Sequence, residues 1–552
     1  AGPIDKNALP IARATSRYTI EPDGTVVLDP VVAVAPGGGT AEGTAKIAGE
    51  KVVLALGVRG IDLRQIYSSL RKSALAGRID ATVAPEGETW QAKLAESGID
   101  LAVVGRRRGD DVVLERVRVA AGGGTVHGAG KVRISGTQPF EATLDLAGFD
   151  PAALGDYPAA SLTGKATVSG RLARPWSAKV QARLTGSRFR GAALAGGGAI
   201  TVSEDRVQDA DVALTLGGTR LAGRGALGRP GDELQVEVDA RNLAEIDARL
   251  AGHAVVRGKV SGPFARPAVS ATLRGESLAF PGGSARSVDA SGDFVLDLAK
   301  GIALEQNAPL RVEARGEAVA AAGYVASLAN VRIEGTAAKH TGELDAKGAD
   351  FDVTTKLEGG WDGKSGWSGV LATLVNRGPY PIALKAPATL EVSRERFRIG
   401  AFEASVAGGS VDVRDLRLES GRLTTAGAFA KFPATVLLAA AGVVQPLRST
   451  LTLAGEWSLS ATPQLSGAIT VRREAGDIEV LTDPVFDLGL TRADLEVRFV
   501  NERAYATLAM AGTSIGELRA RGEAQPIPTA EGVRLAADSP LEATISADLA
   551  SL

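Results

Sequence analysis

Apolar and polar residues alternate through most of this chain. Leu234-Gln235-Val236-Glu237-Val238-Asp239 is apolar at every second position, as are Lys179-Val180-Gln181-Ala182-Arg183-Leu184 and Arg492-Ala493-Asp494-Leu495-Glu496-Val497-Arg498-Phe499. Successive side chains of a strand point to opposite faces, so each segment reads as a strand with one apolar face and one face in water. Gly, Asp, Pro and Asn separate the segments and supply tight turns. Alternation with short turns predicts antiparallel meanders, because buried parallel strands read as continuous apolar runs. Helical signals are few. The strongest is 62–71, where Leu63, Ile66, Tyr67 and Leu70 follow Asp62 as an N-cap at helical spacing. Weaker ones lie at 150–154, 243–250 and 433–438.

These elements recur. Gly38-Gly39-Thr40, Gly123-Gly124-Thr125, Gly217-Gly218-Thr219 and Gly408-Gly409-Ser410 each precede a strand-like stretch. Ser169-Gly170-Arg171-Leu172-Ala173-Arg174-Pro175 returns as Ser261-Gly262-Pro263-Phe264-Ala265-Arg266-Pro267. Together with the helical signals behind Asp62 and Asp150, they agree on a unit of about 90 residues. The expected organisation is one continuous repeat architecture with units near 1–75, 76–160, 161–250, 251–350, 351–445 and 446–552.

An amphipathic sheet must cover its apolar face. A sandwich, a solenoid, or a trough whose inner face is covered by a ligand would each do so. Composition favours the trough. Aromatics are 4% of the chain, and the apolar positions are mainly Ala, Val and Leu, which suits a smooth lining better than an interlocked core. About 40 strands at about 4.8 Å spacing would extend one sheet to roughly 190 Å.

Charge and candidate chemistry add mostly exclusions. With 62 basic and 64 acidic residues, the balance gives no reason to expect nucleic acid. Arg106, Arg107 and Arg108 are followed at once by Asp110 and Asp111, and read as a solvated hairpin turn. There is no cysteine, hence no disulfide scaffold, thiol chemistry or zinc–thiolate site. No apolar run approaches the roughly 18 residues of a membrane span, and no signal peptide is read at the start. Either a soluble protein or a piece of a longer one is expected.

Gly512-Thr513-Ser514-Ile515-Gly516 matches a nucleophile elbow, but a polar strand follows it and all three histidines lie upstream. Gly223-Arg224-Gly225-Ala226-Leu227-Gly228 matches a dinucleotide fingerprint, but the turn Arg229-Pro230-Gly231-Asp232 stands where a helix is needed. His127, His253 and His340 lack metal-ligand spacing. Trp176, Trp361, Trp367 and Trp457 sit beside turns and read as packing residues. The expectation is therefore no enzyme, no metal and no cofactor.

Trp367-Ser368-Gly369-Val370-Leu371-Ala372-Thr373-Leu374, followed by Leu384-Lys385-Ala386-Pro387-Ala388-Thr389-Leu390, resembles the W-x-G-x-L … L-x-A-P-A-x-L stretch of the TamB family of translocation and assembly module subunits. Gly455-Glu456-Trp457, Ala461-Thr462-Pro463-Gln464-Leu465-Ser466-Gly467 and Arg472-Arg473-Glu474-Ala475-Gly476-Asp477 are similar to the same family. The likeness is strongest over about 360–552, while earlier repeats fit the wider AsmA-like superfamily.

The resemblance implies an all-β, elongated, curved, mainly antiparallel sheet forming a U-shaped hydrophobic groove, a β-taco, with a few short helices between repeats. It implies a periplasmic segment of an inner-membrane-anchored Gram-negative protein that shields phospholipid acyl chains between inner and outer membranes and aids outer-membrane protein assembly. The family's inner-membrane helix and the C-terminal domain facing the outer-membrane barrel TamA are expected to lie outside this chain. Candidate groove-lining residues are Ala166, Val168, Val180, Ala182, Leu184, Leu234, Val236, Val238, Val269, Ala271, Leu273, Leu495, Val497 and Phe499. The alternative is a secreted β-solenoid adhesin or passenger-type structural protein, although such proteins repeat every 20–30 residues or so.

Overall fold

The computed structural model describes residues 11–548 except 66–67, 69, 300, 364–365, 441–446, 463, 482, 484, 502, 530–531 and 536–540. Among the described residues the chain is β almost throughout, and 37 strands belong to one antiparallel sheet. It divides into two compact units, Ala1–Gly275 with Leu296–Gly301, and Glu276–Val295 with Ile302–Leu552.

In the first unit each strand from Arg13–Ile20 to Glu233–Ala240 pairs antiparallel with the next one in the chain. The strands therefore run alternately between two edges. One edge carries the paired-glycine turns. Gly38, Gly123 and Gly217 all have positive φ and open the strands Thr40–Ala48, Gly124–Arg133 and Thr219–Leu227. Helical turns fall at the same edge: Leu63–Gln65, Pro151–Ala153 and Leu243–Glu245. Asp150 caps the second by accepting from Ala152 N at 3.0 Å, and Asn242 caps the third by accepting from Ala244 N at 3.2 Å. Glu245 then reaches back to accept the Gly218 N–H, which ties helical turn to glycine turn.

These turns are shorter than the periodicity predicts. Among the described residues of 62–71 the helix is one 3₁₀ turn, and Leu70 forms a β-bridge to Gly155; Ile66, Tyr67 and Ser69 lie outside the described residues. In 243–250 the helix ends at Glu245. Few backbone hydrogen bonds are available to so short a segment, so packing against the strand ends outweighs helical propagation. In the second unit the counterpart is a true α-helix, Ala434–Ala440.

The second unit breaks its strands where the family-like motif lies. Strand Gly366–Asn376 pairs with two short strands, Ile382–Leu384 and Ala388–Ser393. These pair in turn with Phe402–Val406 and Arg396–Ile399, which both pair with Gly409–Glu419. Pro387 of Leu384-Lys385-Ala386-Pro387-Ala388-Thr389-Leu390 sits in the first break, where its missing N–H removes a ladder bond. Lys385 N–H donates to Glu403 O at 2.8 Å and Gly400 N–H to Thr389 O at 2.9 Å, so the sheet is re-joined on both sides of the break.

The motifs read as turns are turns. Gly512 closes the strand Arg503–Gly512 and Gly516 opens Gly516–Ala524, so no helix follows Ser514. Gly109 turns the hairpin between Ile99–Arg108 and Asp111–Ala121. There Arg106 pairs with Glu115 at 3.1 Å and Arg107 with Glu88 at 3.2 Å. Among the described residues no helix is long and apolar enough to cross a membrane.

Candidate functional site

Register places the candidate lining residues of the first unit on one face. Ala166 pairs with Ala182, which pairs with Gly198; the row continues through Val212, Gly223 and Val236 to Gly258. Beside it runs Leu184, Gly196, Leu214, Leu221, Val238 and Val256. Val168 pairs with Val180 and Val180 with Ile200, while Leu234 joins Gly225 to Val260. Val269, Ala271 and Leu273 alternate on Ala268–Phe280, with the Ala271 Cβ facing Gly258. In the second unit Leu495, Val497 and Phe499 share a face with Val471, Ile469 and Gly467.

Every one of these fourteen candidates is half-buried, neither sealed nor free, while the residues between them on the first-unit strands are mostly exposed. Sequence reading missed Ile200, Val212, Leu214, Leu221, Val256 and Val260 of the same face. Their alternation is present, but interleaved glycines such as Gly196, Gly198 and Gly223 interrupt it.

Gly225, singled out in the false dinucleotide motif, has a backbone role. Its φ is +118°, and a Cβ there would stand 2.1 Å from Glu233 O. Only glycine lets the neighbouring strand come this close.

The opposite face is a lattice of exposed ion pairs: Lys131–Glu141 at 2.8 Å, Lys165–Asp145 at 3.2 Å, Arg224–Asp211 at 2.9 Å and Arg257–Glu237 at 2.9 Å. Such pairs contribute roughly 0–1 kcal/mol each, so they solvate the face more than they hold the fold. At one turn Arg206 grips Asp232 through two bonds of 2.7 and 2.9 Å, and these bonds hold that carboxyl below its usual range. Concavities of about 900 Å³ beside Ala182 and about 560 Å³ beside Val236 also take in charged-face residues such as Arg183 and Arg257, so neither isolates the apolar lining.

Burial is concentrated at one strand edge of each unit. In the first, Val58, Leu63, Leu75, Leu94, Ile99 and Ala121 form a cluster beneath the helical turns Leu63–Gln65 and Pro151–Ala153, with Leu154 and Phe149 packed on it. In the second, Ala434, Leu451, Leu453 and Leu490 cluster at the edge carrying the α-helix. Exposure rises along single strands away from these clusters. Leu75 is fully buried and Val83, on the same face of Leu75–Ala84, is 42% exposed. Ala388, Leu390 and Val392 step from 1% to 9% to 38%.

The histidines and tryptophans divide by surroundings. His253 donates to Asp239 at 2.9 Å. His340 donates through Nδ1 to Thr336 O at 3.0 Å and accepts at Nε2 from the Trp367 indole at 2.9 Å, which fixes a neutral tautomer. Trp457 donates to Thr425 Oγ1 at 3.0 Å and stacks on Phe429. Trp367 and Trp457 thus pack as expected. Trp361 does not: it is 52% exposed, and Trp176 is also exposed. No group of three or more potential metal-ligating side chains occurs among the described residues.

An antiparallel sheet with one charged face and one incompletely covered apolar face defines the chain as an open amphipathic β-sheet protein. It belongs to the TamB family: the family model described as TamB, N-terminal domain matches residues 96–402. That match reaches the Trp367 and Pro387 motifs only near its end, and takes in most of the earlier chain, where the residues alone had suggested only the wider superfamily. No curated protein matches the chain.

Proposed function

We propose that this chain is a lipid-transfer segment that shields phospholipid acyl chains along its apolar face, in a groove bridging the inner and outer membranes through the periplasm. The observation that carries this reading is the half-burial of the candidate lining from Ala166 to Leu273, away from the few buried alanines Ala210, Ala240 and Ala254 of the same face. A sandwich would bury such residues and a fully solvated sheet would leave large apolar side chains in water; an adaptable covering of hydrocarbon suits both the partial burial and the shortage of aromatics. About 30 methylenes of a free phospholipid cost roughly 24 kcal/mol in water, so an apolar track lowers the barrier without catalysis. Accordingly we assign no enzymatic step.

Membership of the TamB family supports a partnership with the outer-membrane barrel TamA and a part in outer-membrane protein assembly. Antiparallel pairing in chain order favours this reading over an adhesin-type β-solenoid, whose successive coils stack in parallel.

A photo-crosslinking residue at Val236 is expected to capture phospholipid, and one at the neighbouring Glu237, which faces Arg257, is expected to capture little. Equal adduct yields at the two positions overturn the reading.

A further inference from the structure

The charged face is unevenly balanced along the chain. In the first unit, strand register places thirteen bases and six carboxylates on that face of the strands from Leu75–Ala84 to Ser177–Phe189. One row shows the excess. Arg78, Lys93, Arg118, Lys165 and Arg183 lie in it, and Asp145 is its one acid. At about 4.8 Å per strand, the seven steps from Arg78 to Arg183 run about 34 Å. Neighbouring carboxylates take up Arg106, Lys131 and Lys165. Lys93, Arg116, Arg118, Lys179 and Arg183 are exposed and make no ion pair among the described residues.

In the second unit the sign reverses. The charged face of Gly283–Asp297, Pro309–Ala321, Tyr324–Thr336, His340–Gly348 and Asp352–Trp361 carries nine carboxylates and six bases, leaving out the buried Asp297. Arg311 and Arg332 both turn to Glu313, Lys347 to Asp352 and Lys356 to Glu358. Asp293, Glu317, Glu343 and Asp345 make no ion pair among the described residues, and Asp345 accepts only from the Thr354 hydroxyl, at 2.9 Å. Five uncompensated bases in one unit thus stand against four uncompensated carboxylates in the other.

We propose that copies of this chain associate through their charged faces, the basic band of one copy's first unit lying against the acidic band of another copy's second unit. Charge complementarity identifies the occupant. Every copy carries both signs, and a formal net charge of -2 leaves little repulsion between copies. The acidic band, five strands wide and four rows deep, offers about 24 Å by about 27 Å, or roughly 650 Å² per copy. That is somewhat below the roughly 800 Å² per partner of a standard stable interface, so the contact is weak and reversible. Because its two sides differ, it is heterologous and can be made at both bands of one copy. The proposal does not rest on the lipid-transfer reading, since the contact uses the face turned away from the apolar lining.

The test is sedimentation velocity of the whole chain over a concentration series. Association is expected at about 20 mM salt, with at least a tenfold weaker apparent Kd at about 300 mM, where screening is nearly complete beyond a few ångströms. Arg118→Glu/Arg183→Glu makes both bands acidic, and Glu343→Lys/Asp345→Lys makes the acidic band basic. Each variant alone is expected to weaken self-association about tenfold or more. Mixed together, they are expected to associate as the parent does, because the first keeps the parent's acidic band and the second its basic band. A parent that stays monomeric at low salt, or one whose association ignores salt, overturns the proposal. So does a mixture that stays monomeric while the parent associates. Circular dichroism checks the fold of each variant. Should one misfold, the absence of cysteine from the chain allows a second measurement. Arg118→Cys and Glu343→Cys copies are mixed with a short bismaleimide. A yield of mixed dimer well above that of either like dimer supports the contact, and equal yields overturn it.

Discussion

Within the first unit, the same alternating pattern has two outcomes. Around Leu75 and Ile99 the apolar face is sealed, because helical turns lie over the strand ends. Around Val180 and Val236 no such element lies over the face, and the residues stay half-buried. The difference teaches that alternation specifies a face, while a few residues between strands decide whether that face becomes core or remains available. The largest consequence is in stability. Leu75→Ala removes a fully buried side chain and is expected to cost about 3 kcal/mol in denaturant unfolding. A cost near zero would mean that the cluster under Leu63 and Leu154 is not a core.

The open face is expected to be intolerant at its backbone and tolerant in its side chains. Gly225→Ala places a methyl group on Glu233 O at a φ that only glycine adopts freely, and should cost about 2 kcal/mol. Val180→Ala removes two half-buried carbons and should cost only about 0.8 kcal/mol. Unfolding curves of the two variants sharpen the comparison. If Val180→Ala matches Leu75→Ala, the face is ordinary core and the distinction between regions collapses.

Much of this was legible along the chain. Strand identity followed from period-two alternation, and the Gly512 and Gly223 motifs were correctly rejected because the segments after them cannot be helices. Helix length was overestimated at 62–71, because Leu63, Ile66, Tyr67 and Leu70 satisfy a helical period whatever the chain does around Leu70. Trp361 was misjudged as packed: a tryptophan beside a turn carries no local sign of whether its face is covered there. The gradient from Leu75 to Val83 was invisible for the same reason. It depends on Pro151–Ala153, nearly one repeat away in sequence, coming to lie over strand ends near Leu75, and no local pattern encodes that contact.

The smallest expected effect concerns how firmly the loop after the third helical turn is held. The loop after Leu243–Glu245 is folded back by Asp247 N–H donating to Leu243 O at 3.1 Å and Leu250 N–H to Asp247 O at 2.9 Å. Its carboxylate accepts from the Arg249 side chain at 3.0 and 2.7 Å, and from the Arg249 backbone N–H at 3.0 Å. These bonds lower its pKa from 3.8 to about 2. A carboxyl whose folded pKa is depressed adds stability above its unfolded value, and that contribution disappears as pH falls from the unfolded value through the folded one. Between about pH 4 and about pH 2 the loop should therefore loosen first at this pair. Asp247→Asn removes the titrating group, so its Tm should fall less than the parent's between about pH 5 and about pH 2. Arg249 is well exposed and Asp247 partly so, so the difference will be small and best read as a change in the slope of Tm against pH. An identical slope in the two proteins would mean that the Asp247–Arg249 pair does not hold the loop in solution, and that the loop is held by the Asn242 cap and the Glu245 bond to Gly218.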